Sequence, residues 1–241
     1  MAAPSIRFTE APATLPRGRR VYAVGDVHGC AKRLARLHAM IAEDLARRPV
    51  AAPLLLHIGD YVDKGEDSAG VIRLLLRDPV PGVRTINLIG NHERMVRQVL
   101  EGDHGARADW LWCGGRETLA SYGLDPDAPS EAWATALPPE HRAFLDRGLT
   151  LHHREGGYLF VHAGLRPGVP LEAQSEDDLL GIRHDFLQSE ADHGVVVVHG
   201  HTARFAPEVR DNRINLDTAA WSGGPLTCAV LEGDRLGFLF A

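Results

Sequence analysis

At 241 residues and 44% hydrophobic, the chain can bury one full core, and a single domain of this size suits an α/β protein. A formal net charge of −6 excludes a global basic field of the kind that draws proteins to nucleic acid or anionic lipid, so an anionic substrate would need a local attractor. Cys30, Cys113 and Cys228 show no CxxC spacing, which fits reduced thiols in a cytoplasm better than a disulfide framework or a thiolate zinc site.

Residues 1–20 contain no continuous apolar run, and no later stretch approaches the ~18–20 apolar residues needed to span a bilayer. They read as a loose N-terminal arm on a cytoplasmic protein, with one domain over 21–241. Val21–Val24 reads as a buried strand. Cys30–Arg47 reads as a helix, because Leu34, Leu37, Ile41 and Leu45 recur at helical spacing. Leu54–Ile58 gives a second strand, Val71–Leu76 sits in a short helix, and Val83–Ile89 gives a third strand. From about 100 to 148 the pattern is helical but broken by Gly114, Gly115, Pro126, Pro129, Pro138 and Pro139, a helical excursion beside the site. Leu149–His153, Tyr158–Val161, Val195–Val198, Ile214–Leu216, Leu226–Leu231 and Leu236–Phe240 are strand-like. The layout expected is α/β, with two packed mixed sheets flanked by helices.

The first three strands each run into glycine and then polar residues: Gly25-Asp26, Gly59-Asp60 and Gly90-Asn91. Loops leaving the carboxyl ends of parallel strands gather at one sheet edge, where ligands bind. In GDVHG, Asp26 and His28 stand at i and i+2, so in an extended segment both side chains fall on one side and can share a metal ion. GDYVDKG adds Asp60 and Asp63, GNHE adds Asn91 and His92, VHAG adds His162, and GHT adds His201. Each alone is ordinary turn or cap chemistry.

Together, GDVHG, GDYVDKG, GNHE, VHAG and GHT resemble the calcineurin-like metallophosphoesterases, most closely their phosphoprotein phosphatase branch as found in bacteria, over roughly residues 21–232. The resemblance implies a sandwich of two sheets. It also implies that Asp26, His28 and Asp60 hold one metal, and that Asp60, Asn91, His162 and His201 hold the other. His92 would be the general acid and Asp63 its orienting partner. Arg183, in LLGIRHDFL, would grip the phosphoryl group. Lys64 stands where the family pattern GDxxDRG has arginine, and a lysine supplies a point charge without the planar fork. Gly181 stands where relatives often carry an aromatic.

Two divalent ions and the two carboxylates leave about +2 at such a site, which matches a phosphoryl dianion. Oxygen and imidazole ligands suit manganese first, with iron or zinc as alternatives. The implied reaction is hydrolysis of phosphomonoesters by a metal-bridging hydroxide, serine/threonine protein phosphatase-like, acting on a phosphoprotein, phosphopeptide or small phosphate ester. A symmetrical dinucleoside tetraphosphatase, or another phosphodiesterase, is the alternative within the enzyme class. Those tetraphosphatases tend to lack a carboxylate at the position of Asp63 and to carry GNHD. A non-catalytic phosphoprotein-binding module is the alternative outside it. Glu93 reads as an acidic residue opening a helix, with a hydrogen bond supporting the site as the alternative, His57 as a core histidine, and His199 as structural or as a neighbour of the metal ligands. The tryptophans of the excursion read as buried against the sheet.

Overall fold

The computed structural model describes residues 6–241. In chain order these form β1 (Thr9–Glu10), β2 (Arg19–Val24), helix α1 (Ala31–Arg47), β3 (Ala52–His57), α2 (Ser68–Leu76), β4 (Arg84–Asn87) and α3 (Asn91–Leu100). The excursion follows as α4 (His104–Trp110), a π-helical turn Leu111–Gly115, α5 (Arg116–Ser121), α6 (Ser130–Ala136) and α7 (Pro139–Arg147). The second half adds β5 (His152–Glu155), β6 (Tyr158–Val161), α8 (Glu176–Gly181), α9 (His184–Leu187), β7 (Val196–His199), β8 (Glu208–Val209), β9 (Arg213–Asn215), β10 (Thr227–Glu232) and β11 (Arg235–Phe240).

One sheet has the order β1-β11-β10-β2-β3-β4 and the other β5-β6-β7-β9-β8. Both are mixed: β2, β3 and β4 run parallel, as do β6, β7 and β9, while the remaining pairs are antiparallel. Strand alternation divides the interior. Val21 and Ala23 face the second sheet, where they meet Tyr158, Phe160, Val198 and Ile214. Tyr22 and Val24 face the opposite way, onto Leu34, Leu37 and Ile41 of α1. On the far side of the second sheet, Leu159, Val161 and Val197 pack on Leu179 and Phe186. The result is helix, sheet, sheet, helix, with central strands such as β2, β6, β7 and β10 apolar on both faces as buried strands require.

The expectation of a loose arm does not hold over residues 6–20. Thr9–Glu10 pairs antiparallel with β11, the Ala11 and Leu15 amides donate to Asp234 O and Gly233 O, and the Leu15 side chain is buried. The first five residues of that arm lie outside the described residues. The strand expected at Leu149–His153 lies three residues later, because Thr150 makes only an isolated bridge with Leu88 before pairing with β6 begins. Among the described residues no helix is long and apolar enough to cross a membrane.

Candidate metal centre

The loops after β2, β3 and β4, and those after β6 and β7, meet at one edge of the paired sheets and carry the five motifs there. Asp60 is the hub. Its Oδ2 lies 3.4 Å from His28 Nε2 and 3.9 Å from His92 Nε2, and its Oδ1 lies 3.3 Å from His162 Nε2. Asn91 Oδ1 is 3.0 Å from His162 Nε2 and 2.8 Å from His201 Nδ1. His28, Asp60 and His92 therefore offer one group of atoms able to hold a metal ion, and Asp60, His162 and His201 a second.

Asp26 falls outside both groups as so defined, yet it belongs to the same pocket. Its Oδ2 accepts the His201 amide at 3.0 Å, and its buried Oδ1 has no partner. The glycines before these ligands are there for close approach. A Cβ on Gly200 would stand 1.9 Å from Asp26 Oδ1, and one on Gly90 would stand 2.1 Å from Asp60 Oδ1. His28, Asp60, Asp63, Lys64 and His201 all have left-handed backbone, at φ 41°, 52°, 69°, 64° and 63°. Non-glycine residues seldom adopt it, at a cost of about 1 kcal/mol or more each, and such strain gathers where side-chain direction matters.

The donor chemistry fits divalent cations. His28 Nδ1–H donates to Val62 O and His162 Nδ1–H to Ile58 O, both at 2.9 Å, which leaves the His162 Nε2 lone pair facing Asp60 and Asn91 oxygens and that of His28 facing Asp60 Oδ2 and the Lys64 ammonium. Acceptors that face one another need a cation between them. Burial holds the His28 pKa down to about 3, and burial with His162 and Arg183 nearby holds His201 at about 2, so both imidazoles are neutral as ligands must be. Burial pushes Asp26 well above the usual carboxylate range, reinforced by Asp217 and Asp60. Asp60 is held well below that range because His162, His92 and His28 outweigh its own burial.

His92 turns its other nitrogen outward from this cluster. Nδ1–H donates to Asp63 Oδ2 at 2.7 Å, and Asp63 also accepts from Trp110 Nε1 at 3.0 Å and from Thr118 Oγ1 at 2.6 Å. Burial works against a charged His92, but the Asp60 charge and the Asp63 hydrogen bond raise its pKa above the ordinary value. Lys64 Nζ lies 3.0 Å from His28 Nε2, and Arg183 is exposed, near enough for its charge to weigh on His201. A Cβ at Gly181 would meet nothing within 4 Å, so that departure leaves open space.

Several contributors have roles that the motifs do not reveal. Glu93 does open α3, but its buried carboxylate accepts from four backbone amides: Gly90 and Asp60 on Oε2, Tyr61 and Val62 on Oε1. Asp217, buried beside Asp26, follows the strand-like Ile214–Leu216 as the predicted ligands follow theirs, so the same signal could have found it. Trp110 reaches Asp63 from the excursion, while Trp133 is core as expected and Trp112 is exposed. His57 is the core histidine expected, between Asn87 and His38. His199 is buried with Nδ1 on Gly200 O and does not join the cluster.

The family model of the calcineurin-like phosphoesterases matches residues 19–232. The chain belongs to the calcineurin-like phosphoesterase family. It is 30% identical over 197 residues to a symmetrical bis(5′-nucleosyl)-tetraphosphatase of Nitrosospira multiformis, covering 75% of this chain and 60% of the relative. It is 28% identical over 232 residues to serine/threonine-protein phosphatase 1 of Salmonella typhimurium, covering 89% and 93%. The crystal structure of a protein assigned as a diadenosine tetraphosphatase superposes with a TM-score of 0.64 at 25% identity, covering 97% of this chain and 99% of that one. Against the symmetrical tetraphosphatases this phosphoesterase spans about half of the relative's length, 46% and 44% in two further cases.

Proposed function

We propose that this phosphoesterase is a dinuclear-metal phosphomonoesterase of the serine/threonine phosphatase kind. Asp26, His28 and Asp60 would hold one divalent ion, and Asp60, Asn91, His162 and His201 the other, with manganese the first choice. Bound there, the ions supply Lewis acidity toward phosphoryl oxygens and an activated water. The chain's own residues supply the rest. Arg183 and Lys64 hold phosphate oxygens, and His92 carries at Nε2 the proton that the leaving alkoxide needs, while Asp63 fixes its ring and favours its charge.

The observation that carries this reading is the Asp63–His92 hydrogen bond at 2.7 Å inside a buried cage of Trp110 and Thr118. A poor leaving group such as a serine alkoxide needs an oriented acid, whereas a phosphoanhydride leaving group needs one far less. The second reading, dinucleoside polyphosphate hydrolysis, is favoured by the Nitrosospira relative. Metal analysis of the purified protein, followed by turnover of p-nitrophenyl phosphate, a phosphoserine peptide and diadenosine tetraphosphate, separates the two. Faster turnover of the phosphopeptide is expected. No turnover of any of the three by manganese-reloaded protein overturns both readings.

A further inference from the structure

Side chains of three residues donate to the Asp63 carboxylate, and two of them come from the helical excursion. The Trp110 Nε1–H straddles both oxygens, 3.1 Å from Oδ1 and 3.0 Å from Oδ2. Thr118 Oγ1–H donates to Oδ1 at 2.6 Å, and His92 Nδ1–H to Oδ2 at 2.7 Å. A hydroxyl has one hydrogen to give, so Thr118 Oγ1 in turn accepts the Asp63 amide at 2.8 Å and Ser68 Oγ–H at 3.0 Å. Asp63, Ser68, Trp110 and Thr118 are all buried, so these groups and not bulk water decide how the carboxylate sits.

The excursion is shaped for this grip. In one continuous α-helix, Trp110 and Thr118 would stand about 12 Å apart along the axis. Instead α4 ends at Trp110, the π-helical turn bends through Gly114 at φ 112°, and α5 brings Thr118 back to the same carboxylate oxygen. A Cβ on Gly115 would stand 2.6 Å from the Trp110 ring, and the Trp133 ring braces that indole edge to face at 5.8 Å. The same segment holds the strained step of GDYVDKG. Asp63 and Lys64 are consecutive left-handed residues, and such backbone persists only where its surroundings fix it. The Asp63 amide goes to Thr118, and the Lys64 amide to Gly114 O at 3.3 Å.

We propose that the excursion is the arm that aims the general acid: Trp110 and Thr118 are positioning residues that act through Asp63 on the proton at His92 Nε2. The inference rests on the reading of the protein as a phosphomonoesterase with His92 as its acid, and it adds which esters the arm serves. Proton donation matters most where the leaving oxygen is strongly basic, as in alkyl and unactivated aryl esters, and little where the leaving anion is stable. A carboxylate free to turn lets the imidazole swing, and a misplacement of about 1 Å can cost about 10²-fold.

The test measures kcat on manganese-loaded protein for 2,4-dinitrophenyl, p-nitrophenyl and phenyl phosphate, in order of rising leaving-group basicity. Trp110→Phe removes the N–H, and Thr118→Val replaces only the hydroxyl by a methyl group. Each should lower turnover of phenyl phosphate by about tenfold or more and leave that of 2,4-dinitrophenyl phosphate within about twofold, while Thr118→Ser recovers most of the loss. In a His92→Ala background neither change should cost anything further, because both act through that ring. Equal losses on all the esters, or losses undiminished without His92, overturn the inference and leave the two residues a structural brace alone. Full phenyl phosphate turnover in Thr118→Val also overturns it, whether or not Trp110→Phe folds. A wild type that turns over none of these esters overturns the phosphomonoesterase reading, and the inference with it.

Discussion

Glu93→Gln is the change whose consequence the structure defines most sharply. The carboxylate is fully buried, and its two oxygens accept the amides of Gly90 and Asp60 at 2.9 and 2.8 Å and of Tyr61 and Val62 at 2.7 and 3.2 Å. It thereby pins the loop after β3 to the start of α3, which sets Asp60 against Asn91 and His92. Burial and the Asp60 charge push its pKa up to about 7, against the His92 charge and the Val62 and Tyr61 amides, which favour the anion. Glutamine is nearly isosteric but presents one acceptor and one NH2 group. Two amides keep their partner, and two lose it and face donor hydrogens. At about 1–3 kcal/mol for each orphaned buried donor the lost acceptors cost about 4 kcal/mol, offset in part by the buried charge that glutamine removes, so a net loss of about 2 kcal/mol is expected. Urea unfolding of metal-loaded wild type and variant measures it, and metal content after dialysis measures the second consequence, weaker retention as Asp60 shifts. A variant that unfolds within 1 kcal/mol of wild type and keeps its metal would refute the idea that Glu93 assembles the site.

His92→Ala and Asp63→Asn should each lower kcat for a phosphomonoester by about 10²–10⁴-fold while metal content stays at the wild-type level, and the double variant should be little worse than His92→Ala, because the pair acts as one unit. Steady-state kinetics beside metal analysis checks this, and additive losses would count against the dyad. Gly200→Ala places a Cβ 1.9 Å from Asp26 Oδ1 and 2.9 Å from Ile58 Cδ1, so metal retention at the Asp26 side should fall; equilibrium dialysis with manganese reads it. The buried pair His38–His57, with Nε2 atoms 2.9 Å apart, predicts acid sensitivity. Burial holds His38 down to about 4 and His57 well below its ordinary 6.5. Because the folded values are depressed, this stability is complete above about pH 6.5 and is lost as pH falls toward 4, by about 3 kcal/mol from His38 alone. Melts between pH 7 and 4.5 should show a loss that His38→Gln reduces.

The centre was legible because its signal is local. A strand ends, glycine lets the chain approach closely, and a polar side chain follows, so Asp26, Asp60, Asn91, His162 and His201 each carry their own marker within three residues. The edge strands Thr9–Glu10 and Glu208–Val209 carry none, since two residues cannot show an alternation, and their pairing is decided by the neighbour that needs covering. The supports were illegible for the opposite reason. Glu93 reaches amides 31 to 33 residues away, Trp110 reaches Asp63 across 47, and His38 meets His57 from another element. Such contacts are fixed by how layers pack and leave no periodicity behind.

That division bears on Lys64. A residue read from the motif alone as a weakened phosphate contact turns out to touch three things that the motif cannot contain: His28, the Gly114 turn and the Trp221 ring. An arginine at this place would offer the phosphate a planar fork. The lysine, whose ammonium lies beside the Trp221 ring and over the His28 nitrogen that a metal would take, trades that fork for a compact charge. Substrate choice in this chain should therefore respond to changes around Lys64 more than to changes among the proposed metal ligands, whose removal should lower turnover of every ester alike.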